Sequence, residues 1–244
     1  MLLKELIDKK NKILVIGAHP DDVEFSSGRL LLRRKGINSY AIVMTDGRKG
    51  QDGTPCQRVS EKEYAKVRIN ETKNALKQLK TKAFFINAPD QDLVKYPNVI
   101  EKLLSLLYKI NPDYILIPPY EGAHPDHDVT HLYSVIAAMN FGLTDKQIIE
   151  YGSYNNYQGK FNIQKFIPNK NKEYVLNPNK YEQKKWNKIM KLFVSQINQQ
   201  KYYIPQSKYE IFRTIPQYDY TKLPYQKDEP NAVSMNVQNN SKQN

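Results

Sequence analysis

The sequence predicts an α/β protein: a doubly wound, mostly parallel sheet with helices on both faces, followed by a C-terminal extension. Three observations carry this. Short apolar runs alternate with stretches of helical period over residues 12–150. The chain has 244 residues and is 40% hydrophobic, enough for a substantial buried core. After residue 150 the alternation weakens and the composition turns polar, basic and Tyr-rich.

Residues 12–18 (KILVIGA) read as a short buried strand. Ser26 or Ser27 is placed to cap a helix running to Lys35, with Gly36 as its stop. Residues 40–44 (YAIVM) form a second strand that ends in the turn signal Thr45-Asp46-Gly47. A Gly- and Pro-containing loop fills 47–59. Ser60-Glu61-Lys62-Glu63 is a capping-box pattern opening a helix to Leu79. Residues 83–86 are a third strand. Asn98 is placed to cap a helix with apolar positions from Val99 to Leu107. Residues 114–117 are a fourth strand, stopped by Pro118-Pro119, and 127–141 is helical again. Further on, 173–176 reads as a short strand and 179–200 as one helix. The polar stretch 228–244 reads as a flexible tail.

Composition excludes several classes. Cys56 is the single cysteine, so an intrachain disulfide and a Cys-rich zinc site are out. No run approaches the roughly 18 apolar residues of a membrane span. The first ten residues are too charged for a signal peptide, so the expected compartment is the cytoplasm. Net charge is +12 and uneven: residues 151–244 hold 15 basic and 6 acidic groups. That points either to an anionic partner or to a solvated Lys-rich surface; 14 of the 15 are Lys, which favours the surface, and no nucleic-acid partner is expected.

The histidines are more informative. All four, His19, His124, His127 and His131, lie in two short segments that also hold clustered Asp. His19-Pro20-Asp21-Asp22 follows the first strand and His124-Pro125-Asp126-His127 follows the fourth. Either alone is an ordinary loop signal. Together they occupy the carboxyl ends of two strands that a 3-2-1-4 order makes neighbours across the switch point, where open α/β sheets bind ligands. Imidazole with carboxylate suits Zn²⁺, and also Fe²⁺ or Mn²⁺. The two motifs offer more groups than the three a catalytic ion takes, leaving a base and an oxyanion partner over. His131, four residues after His127, supports a ligand from behind or packs its helix.

Residues 18–24 (AHPDDVE), with His124-Pro125-Asp126-His127, resemble the PIG-L/LmbE-type family of metal-dependent N-acetylglucosaminyl deacetylases. Thr45-Asp46-Gly47, Arg68-Ile69-Asn70-Glu71, residues 113–118 and Ser195-Gln196 also fit. The resemblance is close over 12–140 and loose over 173–212. It implies one Rossmann-like domain over 1–227, with a core at 12–150 and an extension at 151–227. It makes His19, Asp22 and His127 the metal ligands and Asp21 the general base. It makes a protonated His124 the oxyanion partner, with Asp126 orienting it, and leaves the general acid open between Asp21 and His124. Arg68 either binds substrate oxygens or pairs with Glu71 on its own helix. One departure stands out: Ser26-Ser27-Gly28-Arg29 replaces the family's frequent Gly-Cys-Gly-Gly, which brings Arg29 near the base. Tyr151, Tyr154, Tyr157 and Trp186 are either sugar-stacking or core aromatics.

The expected function is zinc-dependent removal of an N-acetyl group from a small amino-sugar conjugate, possible aglycones including acidic or phosphorylated ones. The alternatives are another metallohydrolase such as a phosphoesterase, or a non-catalytic anion-binding protein on the same scaffold. Small α/β enzymes of this kind are also candidates for homo-oligomers.

Overall fold

The computed structural model describes residues 2–51 and 54–224. The elements are α1 (Leu2–Ile7), β1 (Ile13–Gly17), α2 (Asp22–Arg34), β2 (Ser39–Thr45), α3 (Glu61–Gln78), β3 (Lys82–Ala88), α4 (Val99–Ile110), β4 (Tyr114–Ile117), α5 (Pro125–Phe141) and β5 (Ile148–Tyr151). The C-terminal part adds the two-residue strands β6 (Tyr154–Asn155) and β7 (Asn162–Ile163), then β8 (Tyr174–Leu176), α6 (Lys180–Met190), α7 (Ile197–Gln206) and β9 (Glu210–Thr214).

Seven strands form one sheet in the order β3-β2-β1-β4-β5-β9-β8. The first five are parallel, and β9 runs antiparallel to both β5 and β8. β6 and β7 make a separate two-stranded ribbon. Strand residues alternate between two apolar layers, as the two-residue period of a sheet requires. Ile13, Val15 and Leu116 pack on one face with α1, α2, α3 and α6. Leu14, Ile16, Ile115 and Ile117 pack on the other with α4 and α5. β1 pairs with β4 in the register Val15↔Leu116, so the loops that follow them leave the sheet side by side. This is the expected 3-2-1-4 order.

Several local expectations are corrected. α2 begins at Asp22, four residues before Ser26, with Asp21 as its N-cap at φ 123. Ser26 and Ser27 are buried inside the helix and cap nothing. The Ser60–Glu63 capping box is present, whereas Asn98 takes the N-cap position of α4 without a side-chain bond. The single helix expected over 179–200 is two, α6 and α7, separated by a 3₁₀ turn at Val194–Gln196. The break has a physical cause: it brings the Ser195 amide and hydroxyl to Glu71 of α3, at 2.9 and 2.5 Å. β5 and β9 are additions that the sequence pattern does not announce. The expected tail at 228–244 lies outside the described residues. No helix among them is long and apolar enough to cross a membrane.

Arg29 is also placed differently from expectation. Its guanidinium lies 3.6 Å from the Trp186 ring centroid and donates to Gln183 Oε1 and to Ser207. Its carboxylate partner Glu210 also accepts from the Arg29 and Leu30 amides. The charge is therefore committed to the α2–α6–β9 seam and not to the base. Gly28 makes this possible: a Cβ there would stand 2.8 Å from Trp186 Cδ1.

Candidate active site

The loops after β1 and β4 bring three donor atoms into a triangle. His19 Nδ1 lies 3.3 Å from His127 Nε2, 108 residues along the chain. Asp22 Oδ2 lies 3.5 Å from His19 Nδ1 and 3.3 Å from His127 Nε2. Three tetrahedral ligands at the Zn–N distance of about 2.0–2.1 Å stand about 3.3 Å apart, so the triangle has the size of one face of such a site. Local bonds hold it: the His19 amide donates to Asp22 Oδ2 at 2.7 Å, and Asp22 N donates back to His19 O. The other His19 nitrogen, Nε2, lies 3.1 Å from Asp90 Oδ1 and 3.4 Å from Asp126 Oδ2. It is aligned for a hydrogen bond with neither. Carboxylates behind a ligating imidazole fix which ring nitrogen faces the ion. The residues present fit a divalent cation.

The electrostatics match. Burial opposes a charged His19, yet Asp126, Asp22 and Asp90 hold its pKa well above the ordinary value. Burial likewise opposes a charged Asp22, and His127 with His19 hold it well below the usual carboxylate range. A cluster that stabilises positive charge this strongly has the sign a cation site needs.

Asp21 stands beside the triangle. Its φ of 123 is in a region that non-glycine residues rarely adopt. Arg68 reaches it from α3: Nη2 donates to Asp21 Oδ2 at 3.0 Å and to Pro20 O at 2.8 Å, and Nη1 donates to Gly47 O at 3.1 Å. Gly47 must be glycine here, because its φ is +65 and a Cβ would stand 2.7 Å from Pro20 Cδ. Burial pushes the Asp21 carboxyl up to about 6, against the pull of Arg68 and with the help of Asp22. Arg68 and Glu71 do not pair with each other, which corrects one expectation. Arg68 serves Asp21, and Glu71 serves Ser195.

His124 is the N-cap of α5, and its Nδ1 accepts from the Asp126 amide at 3.1 Å. That bond makes Nδ1 an acceptor and leaves Nε2 as the N–H of a neutral ring. Burial, with the charges of His19 and His127, pushes His124 down to about 3. His124 in this arrangement offers Nε2 as a neutral donor, where the resemblance implies a protonated ring. The role of Asp126 is corrected in its means. Its main chain holds His124, while its carboxylate accepts from Gln91 N at 2.6 Å and Leu93 N at 3.4 Å. His131 lies apart, bonded to Pro118 O and Tyr220 Oη, and packs α5.

His19, Asp21, Asp22, Arg68, His124 and His127 line one cavity of about 240 Å³. Its far wall comes from the C-terminal part. The Tyr154 ring centroid is 5.3 Å from that of His127, and Tyr154 stacks on Tyr203 at 5.9 Å and 11°. Phe161 stacks on both. Gln196 and Gln199 add carboxamides. Of the four aromatics flagged in the sequence, Tyr154 lines the cavity, whereas Tyr151 and Trp186 are core. Sequence reasoning missed Asp90, Gln91, Tyr203 and Gln199. Only Asp90 carries a signal, an acid at the carboxyl end of β3, and Pro89-Asp90 reads equally well as a turn.

Comparisons with known proteins agree with this geometry. Residues 14–139, just over half of the chain, match the family model PIG-L, GlcNAc-PI de-N-acetylase. The uncharacterized deacetylase YaiS of Escherichia coli (strain K12) is 52% identical over 48 residues, 19% of this chain and 26% of that protein. The match therefore spans about a quarter of the curated relative's length. The N,N'-diacetylchitobiose deacetylase from Pyrococcus horikoshii is 26% identical with a TM-score of 0.56, over 80% of this chain and 77% of that one. The A40926 pseudoaglycone deacetylase Dbv21 shares the fold, with 17% identity, a TM-score of 0.66, and 86% and 98% of the two chains covered. With the signature residues of both motifs meeting at one cavity and the family model spanning the β1–α5 frame, this chain belongs to the PIG-L/LmbE-type deacetylase family.

Proposed function

We propose that the chain is a metal-dependent N-deacetylase acting on an N-acetylglucosamine-type amino-sugar conjugate. The observation that carries this is the His19–Asp22–His127 triangle with the Asp21 carboxyl beside it in a shared cavity. His19, Asp22 and His127 would hold the ion; two imidazoles and a carboxylate suit Zn²⁺, with Fe²⁺ or Mn²⁺ as alternatives. When bound, the ion supplies Lewis acidity and makes a water more acidic.

The remaining work falls to side chains. Asp21, with a pKa near 6, is ionised at neutral pH and takes a proton from the attacking water. Arg68 keeps its carboxylate aimed into the cavity. His124 donates from Nε2 to the oxygen that gains charge as the carbonyl is attacked. The acetamide C–N bond breaks, the proton held by Asp21 goes to the leaving nitrogen, and acetate and a free amine result. A pyranose suits the cavity, whose aromatic wall of Tyr154 and Tyr203 faces polar groups from Arg68, Gln91 and Gln196. The similarity to a diacetylchitobiose deacetylase supports the same substrate class.

The test is metal analysis coupled to acetate release from N-acetylglucosamine conjugates. One ion per chain and acetate release are expected, and Asp21→Asn should keep the ion and lose turnover. Retained turnover in that variant removes Asp21 from the base role. Two ions per chain with phosphate-ester cleavage would favour the phosphoesterase alternative.

A further inference from the structure

Charge and shape coincide on the outer side of α6. Lys180, Lys184 and Lys188 recur every four residues, and Lys191 continues the row at the end of the helix, so all four share one face. With Lys208 beyond α7 they line a groove of about 820 Å³. All five are exposed. The lysine ion pairs of the described residues lie elsewhere, at Lys49, Lys95 and Lys222. The one acid of α6, Glu182, is committed to Arg33 and to the Asn179 amide. Like charges four apart destabilise a helix, and among the described residues no carboxylate lines the groove to offset them.

The spacing says what would. Four residues of helix advance about 6 Å, so the row offers a positive charge about every 6 Å over about 16 Å. A ligand with one negative charge per repeat unit matches a row; a single phosphate does not. Single-stranded nucleic acid uses aromatic stacking platforms, and among the described residues no aromatic ring lines this groove. The groove also adjoins the candidate active site, because Ile204 of α7 lines both.

We propose that the α6–α7 groove is a second binding site, for a linear phosphodiester chain without bases, and that the amino sugar entering the cavity is carried on such a chain. The second half rests on the deacetylase reading above. The groove takes up part of the excess charge of residues 151–244: between 178 and 208 the chain has seven Lys and one Glu, and five of those Lys line it.

The probe is a fluorescein-labelled glycerol-phosphate oligomer, titrated by anisotropy against the metal-loaded full chain at several salt concentrations. Oligo(dT) of equal charge and phosphatidylglycerol vesicles serve as the other arms. Wild type should prefer the oligomer. Lys184→Gln/Lys188→Gln/Lys191→Gln should weaken it about tenfold or more and reduce the slope of log K against log salt by about 2. Lys73→Gln/Lys77→Gln/Lys82→Gln, on the basic patch beside β3, should leave it unchanged. No binding at low salt, an equal loss in the β3-side variant, or preference for oligo(dT) or vesicles overturns the proposal. In the activity arm, the ratio of kcat/KM for the polymer-carried sugar to that for the free conjugate should fall in the α6 variant; an unchanged ratio removes the link to the cavity. If wild type releases acetate from neither, the deacetylase reading fails, while the anisotropy arms still decide the groove.

Discussion

Arg68 Nη2 lies 3.0 Å from Asp21 Oδ2, and the same guanidinium donates to the carbonyls of Pro20 and Gly47. One side chain of α3 thus ties the loops after β1 and β2 together at the proposed base, which sits on strained backbone.

The consequence is a pH-rate profile with a defined direction. Asp21 must be ionised to accept a proton, so kcat/KM rises with pH through its pKa. That limb should fall at or below about 6, since a bound dication lowers it further. Arg68 opposes the upward push of burial, so Arg68→Gln moves the limb to higher pH and lowers the plateau about 10–100-fold. A limb that does not move in Arg68→Gln assigns it to another group.

The aromatic wall should act on binding more than on chemistry. Tyr154→Ala removes a ring from two stacked pairs, each worth about 0.5–1.5 kcal/mol. We expect KM to rise about tenfold with a smaller change in kcat, and Tyr154→Phe to keep most of the KM. Steady-state kinetics on one conjugate separates the two; a kcat loss in Tyr154→Phe would instead make the phenol part of the reaction.

Gly28→Ala sets two effects against each other. Alanine gains about 1 kcal/mol of helix propensity, while its methyl meets the fully buried Trp186 at 2.8 Å. Trp186 is anchored by Nε1 to Glu24 O at 2.8 Å and cannot swing away. Overpacking costs about 1–3 kcal/mol, so a net loss is expected in urea unfolding. Equal or greater stability would show that the α2–α6 seam is looser than described.

Arg213 bridges two buried carboxylates, Glu150 at 2.6 Å and Glu121 at 2.9 Å. Arg213→Met leaves both without their arginine counter-charge and should cost about 3–5 kcal/mol at pH 8. The sign of the pH effect follows. Burial already pushes Glu121 up to about 7 against the pull of Arg213, and the variant raises it further. A carboxyl whose folded pKa is raised contributes stability that is full below its unfolded pKa of about 4.5 and is lost as pH rises through the folded value. The variant should therefore be closer to wild type at pH 5 than at pH 8. Denaturant midpoints at the two pH values check this.

The parallel frame is legible in the sequence because an apolar run bounded by turn residues needs no tertiary information. The same holds for the two motifs, whose rare residues sit at strand ends. What is not legible depends on distant partners. β5 hides behind Glu150, a charge in the middle of a four-residue strand, tolerated because Arg213 pairs with it 63 residues later. β9 carries that Arg213 and opens on Glu210, whose partner is Arg29. The start of α2 follows from the unusual conformation of Asp21, held by Arg68 from another helix. His124 is visible as a candidate, but the helix-capping bond that occupies its Nδ1 is one that only the fold creates.

The division of labour along the chain has a practical side. The three candidate ligands, the Asp21 carboxyl and its arginine all come from residues 19–127, while Tyr154, Gln196, Gln199 and Tyr203 all come after β5. On the proposed function, reaction and choice of guest are thus written in separate stretches of sequence. Grafting a different segment after β5 onto the same parallel frame is a route to retargeting this chemistry without rebuilding it.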